Sequence, residues 1–187
     1  MFTDNLRKKF SSVSLAAGKT LGGMGLTPNH LTSLCLIFGL GASYAISQGM
    51  FYLAIILLLV SGVMDFLDGS VARACNKETK FGGLFDSTVD KLTEILIYIA
   101  LGLYDPSLLL GSCLAISTFM LSSYISKHAK ASGGKGGGGI IERKERIILL
   151  VFGMMFIQYM PYILYFIAAF SFITCLQRFY RNYRLLK

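Results

Sequence analysis

Long apolar runs alternate with short polar or glycine- and proline-containing segments along most of the chain. The runs lie at about 31–47, 51–74, 81–104, 108–125, 140–159 and 162–176. A transmembrane helix needs roughly 20 predominantly apolar residues, and several of these runs are somewhat shorter. Helix-ending dipeptides, Gln48-Gly49, Asp105-Pro106 and Met160-Pro161, lie in three of the five gaps between them. The pattern predicts an all-α integral membrane protein with six transmembrane helices.

Residues 2–21 follow a different pattern, in which one helical face is apolar and the basic residues Arg7, Lys8, Lys9 and Lys19 lie elsewhere. The apolar positions recur every three or four residues: Phe2, Leu6, Phe10, Val13, Ala17 and Leu21. Such a helix suits the membrane surface, although a plain solvated helix would show a similar pattern. We therefore expect one domain over 1–187, with an interfacial helix at 2–21 and a six-helix bundle at 28–184.

Composition agrees with a membrane protein and disfavours a nucleic-acid-binding protein. The net charge is +8, 54% of residues are hydrophobic, and the mean hydropathy is +0.61. Lysines and arginines concentrate at both ends and around the second and fourth interhelical loops. The positive-inside rule then predicts a multi-pass cell-membrane protein with both termini in the cytoplasm. We expect no signal peptide, because no apolar segment follows Arg7–Lys9. The four scattered cysteines suit apolar packing.

Four carboxylates fall inside the second and third apolar runs, where charge is costly. Asp65 and Asp68 lie on one face of a helix, and Asp86 and Asp90 lie one turn apart on the next. If the two helices pack side by side, the carboxylates converge. Oxygen ligands without His or Cys suit Mg²⁺ or Mn²⁺, and four negative charges match two divalent ions. The alternative is a buried, partly protonated cluster that only joins two helices.

The spacing Asp-x2-Asp-Gly-x2-Ala-Arg-x8-Gly-x3-Asp-x3-Asp runs from Asp65 to Asp90. It resembles the motif of the CDP-alcohol phosphotransferase family at every fixed position. The resemblance implies transfer of a phosphatidyl-type group from a CDP-linked lipid to an alcohol, with release of CMP, by a homodimer with two Mg²⁺ ions per site. It implies that the four aspartates are metal ligands and that Asp90 is also the general base. The cytidine nucleotide of the donor would contact Pro28, Asn29, His30, Leu31, Gly69, Arg73 and Thr79.

The likeness extends to one branch of the family. Ser123-Tyr124 and Glu142-Arg143-x2-Arg146 resemble the branch that makes phosphatidylinositol phosphate or its archaeal ether-lipid counterpart. That branch uses inositol 1-phosphate, whose phosphate is bound by cations. Ser126 departs from it, since a basic residue is expected there. The candidate acceptor-phosphate ligands are Lys127, Lys130, Lys135, Arg143, Arg146, Arg178 and Arg181. These cations also suit membrane topology and contact with anionic lipids.

Other interpretations stay open. Within the family, the acceptor could be glycerol 3-phosphate or serine, although serine would need fewer cations. A soluble CDP-inositol donor is another alternative, and ester and ether lipids are not distinguished. Outside the family, intramembrane acids also mark cation transporters, but these acids cluster towards one side and no repeat is visible. The glycine-rich segment 132–139 suits a flexible linker, or a lid that carries Lys135 to an anionic substrate.

Overall fold

The structure is a computed structural model that describes residues 14–187, so most of the predicted interfacial helix lies outside the described residues. All regular elements in the described part are helical. Helix α1 covers residues 14–23. It is followed by α2 (Pro28–Ser47), α3 (Phe51–Ala74), α4 (Lys80–Tyr104), α5 (Leu109–Ala131), α6 (Arg143–Met155) and α7 (Met160–Leu186). Single 3₁₀ turns precede α5 and α7, at Pro106–Leu108 and Ile157–Tyr159.

Four helical segments of the described chain are long and apolar enough to cross a membrane. They are Pro28–Ser47, Phe51–Ala74, Pro106–Ala131 and Ile157–Leu186. Charged side chains, including Asp86, Asp90 and Glu94, lower the hydropathy of α4, and α6 has only 13 residues. The all-α class and a membrane-embedded chain are thus supported, while the count of six spans stays a prediction.

The helix boundaries follow local chemistry. Thr27 precedes α2, and its hydroxyl accepts a hydrogen bond from the His30 amide at 3.3 Å, as expected of a cap. Helix α6 ends at Met155 rather than near Tyr159, because Phe156 leaves the helical region (φ −130°, ψ 69°) and a 3₁₀ turn follows. Pro161 then lies in the first turn of α7, where its missing N–H costs no helical bond.

The chain divides into two compact units, of which the first comprises the described residues up to Ala45 together with Leu53–Ile97. In this unit, α2 and α3 are joined by a hydrogen bond from the buried Ser61 hydroxyl to the Cys35 carbonyl at 3.0 Å. Helix α1 lies against α3 at Gly18, where a β-carbon would come within 2.4 Å of the Ser70 carbonyl oxygen. Small residues therefore set the close approach of these helices.

Helix α2 approaches α4 in the first unit in the same way. A β-carbon added at Gly39 would lie 2.5 Å from Cγ2 and 2.9 Å from Oγ1 of Thr93, which is buried. Whichever staggered rotamer Thr93 adopts, one of its two γ atoms occupies one of these two positions. Only glycine therefore allows this contact between α2 and the helix that carries Asp86 and Asp90.

The second unit comprises Ile46–Tyr52 and Tyr98–Lys187. Helices α5 and α7 meet where Gly111 faces Leu164, with a hypothetical β-carbon 3.0 Å from the leucine Cβ. The buried rings of Tyr98 and Phe119 stack with centroids 5.8 Å apart. This packing fixes the helices on which most of the basic candidates lie.

We predict that Gly39→Ala destabilises the protein. Overpacking of this kind costs about 1–3 kcal/mol, because Thr93 or the helix backbone must shift. The measurement is the thermal unfolding midpoint of the purified protein in detergent. Gly62→Ala in α3 is the matched control, since nothing lies within 4 Å of its added β-carbon. The α2–α4 contact would be contradicted if Gly39→Ala melted at or above the midpoint of Gly62→Ala.

Candidate functional site

A cavity of about 250 Å³ lies in the first unit where the start of α2, the end of α3 and the start of α4 meet. Each helix supplies part of the wall through residues in its terminal turns. Among the predicted donor ligands, Pro28, Asn29, Gly69 and Thr79 line the cavity, as do Asp68 and Asp86. The structure thus brings together predicted site residues that are up to 58 positions apart in the chain, from Pro28 to Asp86.

Three of the four motif carboxylates lie beside one another. One oxygen each of Asp65, Asp68 and Asp86 falls within 4.8 Å of the others. Asp68 is buried, with 7% of its surface exposed, and the other two are half-buried. Asp90 is four residues beyond Asp86 on α4 and is not part of this group of atoms. The four-residue spacing places Asp90 on the same face of α4.

The donor set fits a hard divalent cation. Three carboxylate oxygens at this separation repel one another in a partly buried site, and a divalent ion between them offsets that repulsion. Carboxylate ligands without His or Cys are those that Mg²⁺ and Mn²⁺ take. Asp65 and Asp68 from α3 and Asp86 from α4 could therefore hold such an ion.

Two glycines near the carboxylates allow polar side chains to approach closely. The Arg73 guanidinium folds back over Gly69, where a β-carbon would lie 3.1 Å from Nη1. Gly82 lies between two cavity residues: a β-carbon there would come within 2.9 Å of the Thr79 hydroxyl and 3.4 Å of the Asn29 side-chain oxygen. Thr79 also accepts a hydrogen bond from the Gly82 amide at 2.9 Å, which caps α4.

Some predicted donor ligands lie elsewhere, and some wall residues were not predicted. His30 is exposed, Leu31 is buried in the core, and Arg73 does not line the cavity. The wall also contains Thr32, and Lys77 and Glu78 from the α3–α4 loop. Thr32 could have been found from sequence, because it lies one turn after Pro28. The loop residues have no periodic signal.

The predicted acceptor ligands lie in the second unit and differ in burial. Lys127, Lys130 and Lys135 are exposed, whereas Arg143 is half-buried in the first turn of α6. Arg146 is only 5% exposed, and its guanidinium carbon lies 4.8 Å from the centre of the Phe119 ring. Arg146 is thus the most deeply buried cation among the candidates.

The glycine-rich loop is held against α5 and α7. Arg178 donates from Nε to the Gly138 carbonyl at 2.8 Å and from Nη1 to the Ser122 carbonyl at 3.0 Å. Its other terminal nitrogen lies 3.8 Å from a Glu142 carboxylate oxygen. Arg178 thus ties the loop, a residue of α5 and the start of α6 to one position on α7.

Two further residues of α7 hold the same loop. Arg181 donates from Nη2 to the carbonyls of Lys135 and Gly137, and the Asn182 side-chain oxygen accepts from the Lys135 amide at 2.9 Å. Gly137 and Gly138 have φ values of +74° and +70°, which favour glycine. The glycine-rich composition of 132–139 is typical of a flexible linker or a lid, and it does not reveal that the loop carbonyls accept hydrogen bonds from α7.

Comparison with known proteins agrees with this geometry. The family model for CDP-alcohol phosphatidyltransferase matches residues 25–176. The archaetidylinositol phosphate synthase of Pyrococcus horikoshii is 38% identical over 180 residues, covering 94% of this chain and 93% of that protein. The phosphatidylinositol phosphate synthase of Mycobacterium marinum is 31% identical over 189 residues, and the match covers 93% of this chain and 81% of that protein.

Solved structures show the same fold with relevant ligands. The crystal structure of Mycobacterium tuberculosis phosphatidylinositol phosphate synthase with CDP-DAG bound has a TM-score of 0.83 at 26% identity, covering 92% of this chain and 94% of that chain. The structure of that enzyme with manganese and citrate has a TM-score of 0.82 at 25% identity, covering 91% and 88%. With the motif spacing and the grouped carboxylates, these matches show that the chain is a membrane enzyme of the CDP-alcohol phosphatidyltransferase family.

Proposed function

We propose that this enzyme transfers a phosphatidyl or archaetidyl group from a CDP-linked lipid to the hydroxyl of inositol 1-phosphate and releases CMP. The observation that carries the proposal is the group of three carboxylates, two of which, Asp68 and Asp86, line the same cavity as Pro28, Asn29, Gly69 and Thr79. The relatives named for inositol phosphate products, which match almost the whole chain, favour this acceptor.

The carboxylates would hold two Mg²⁺ ions, with Mn²⁺ as a substitute, and Asp90 would complete the ligand set. When bound, the ions supply Lewis-acid polarisation of the pyrophosphate and neutralise charge on the leaving phosphate. Asp65, Asp68 and Asp86 would hold these ions and, through them, would orient the pyrophosphate of the donor. Asn29 and Thr79 offer polar side chains to the cytidine part of the donor.

Asp90 is proposed as the general base. Its carboxylate takes the proton of the acceptor hydroxyl while the oxygen of that hydroxyl attacks the β-phosphorus. The new oxygen–phosphorus bond forms as the bond to the CMP oxygen breaks, and CMP leaves with the electron pair. Asp90 suits this role because its helix presents it one turn beyond Asp86, on the face of α4 that also carries a metal ligand.

The phosphate of the acceptor is proposed to bind the cations of the second unit. Arg146 offers a buried guanidinium, and its contact with Phe119 holds it in place. Arg143, Arg181 and the exposed lysines supply further charge. Arg178 contributes by holding the loop that contains Lys135, in addition to its own charge.

The remaining parts of the proposal concern the membrane. We infer six spans, both termini and the active site on the cytoplasmic side of the cell membrane, and a homodimer. The clustering of Lys and Arg at the termini and the second and fourth loops supports the orientation. The dimer rests on family resemblance.

The acceptor is tested by CMP release from purified protein in detergent. CDP-diacylglycerol or CDP-archaeol is supplied with one acceptor at a time: inositol 1-phosphate, glycerol 3-phosphate or serine. We predict release with inositol 1-phosphate, which stops with EDTA and returns with Mg²⁺ or Mn²⁺. If CMP were released only with glycerol 3-phosphate, the family assignment would stand, but inositol 1-phosphate would be the wrong acceptor. Turnover that persists in EDTA would contradict the metal-dependent mechanism.

Asp90→Asn is predicted to lower kcat by about 100-fold or more, because a general base contributes roughly 10²–10⁴ in rate. Donor binding, measured as the Kd for CDP-diacylglycerol, should change little. Asp105→Asn is the control: Asp105 accepts from the Ser107 amide at 2.8 Å, and an asparagine oxygen can also accept there. Near-normal turnover by Asp90→Asn would remove Asp90 as the base.

Arg178→Lys is predicted to release the glycine-rich loop, because lysine cannot bridge Gly138, Ser122 and Glu142 as the guanidinium does. The measurement is the rate of tryptic cleavage after Lys135, which should rise several-fold. Arg184→Lys is the matched control on the same helix, since Arg184 contacts Tyr180. Equal cleavage rates in the two variants would contradict this role for Arg178.

A further inference from the structure

Thr32 is a buried polar residue that touches a metal-ligand candidate. It lies in the first turns of α2, and only 3% of its surface is exposed. Its hydroxyl donates to Asp68 Oδ2 at 2.7 Å. The same oxygen is 3.1 Å from the Pro28 carbonyl oxygen, one turn earlier. Thr32 therefore lies between the start of α2 and a carboxylate of α3.

The single hydroxyl proton of Thr32 has two possible acceptors, and the carboxylate is the stronger. The oxygen–oxygen distance to Asp68 lies at the mode for O–H···O bonds, and the contact with Pro28 is longer. A bond to an ionised acceptor is roughly twice as strong as a neutral one. Because both partners are buried, this bond fixes the rotation of the Asp68 carboxylate about its side-chain axis.

The fixed rotation matters because Asp68 must act together with two other acids. One Asp68 oxygen is within 4.8 Å of an oxygen of Asp65 and of Asp86. A carboxylate held by a hydrogen bond from α2 keeps this arrangement against the repulsion of its neighbours. Residues that orient metal ligands in this way typically change metal affinity by about 10–100-fold when removed.

We propose that Thr32 is a positioning residue that sets the affinity of the aspartate group for divalent metal by orienting Asp68. The proposal rests on the proposed function, since it requires these aspartates to bind metal. Pro28, one turn before Thr32 on α2, lines the same cavity.

If the Thr32 bond only joined α2 to α3, its removal would affect metal affinity no more than the removal of another bond between these helices. Ser61 provides the comparison, because its buried hydroxyl also joins these two helices, by donating to the Cys35 carbonyl at 3.0 Å. Ser61 is one turn before Asp65 and two turns before Asp68 on α3, but its hydroxyl bonds to Cys35 and not to a carboxylate. Removing either hydroxyl weakens the same helix pair, but only Thr32 touches a carboxylate of the group.

The test is Mn²⁺ titration of the full chain in detergent, with free Mn²⁺ read from its electron paramagnetic resonance signal. Thr32→Val removes the hydroxyl and keeps the shape, and we expect its Kd for Mn²⁺ to rise about tenfold or more. Thr32→Ser should stay within about threefold of the wild-type Kd, and Ser61→Ala should bind as wild type does. Should Thr32→Val fail to fold, Thr32→Ala compared with Thr32→Ser supplies the same contrast.

The possible outcomes distinguish the role of Thr32 from the assignment of the aspartates as metal ligands. Wild-type affinity in Thr32→Val or Thr32→Ala overturns the role of Thr32 and leaves the metal assignment intact. Equal weakening by Ser61→Ala and Thr32→Val also overturns it, because the effect would then come from helix packing. A wild-type chain that binds no Mn²⁺ overturns the metal assignment itself, and the role of Thr32 with it.

Discussion

The functional site depends on one constraint, which is the repulsion among carboxylates that lie close together in a membrane protein. Asp65, Asp68 and Asp86 offer oxygens within 4.8 Å of one another, and Asp68 is buried. No stability is gained by grouping like charges in a partly buried site. A divalent ion explains the arrangement, because its positive charge offsets that of the acids and can also attract an anionic phosphate ligand. The chemistry of phosphoryl transfer follows from the same arrangement.

Small residues and buried hydroxyls hold the surrounding helices close together, so that the acids stay grouped despite their repulsion. Glycines at 18 and 39 let α1 approach α3 and let α2 approach α4 more closely than any side chain would allow. Ser61 and Thr32 supply hydrogen bonds between α2 and α3, where apolar surface alone gives little driving force inside a bilayer. The helices that carry the acids are thus held by contacts that tolerate little change.

Sequence periodicity was enough to predict the helical fold, because apolar runs and turn residues mark most helix boundaries. It misplaced the end of α6, since a 3₁₀ turn before Met160 is not distinguishable from a helix by hydropathy. The three grouped acids could be predicted because their spacing places them on single helix faces. The loop held by Arg178 and Arg181 could not, because its acceptors are backbone carbonyls that every sequence contains. The spacing from Pro28 places Thr32 on the same face of α2, but its bond to Asp68 depends on the packing of α2 against α3, which periodicity does not predict.

The most direct test of the central claim is the anomalous difference map of a crystal grown with Mn²⁺. The account predicts peaks bounded by the carboxylates of Asp65, Asp68 and Asp86, with Mn–O distances of about 2.0–2.3 Å as expected for a hard divalent ion with oxygen ligands. Mn²⁺ that appears only elsewhere in the protein, with these three carboxylates unliganded, would contradict it.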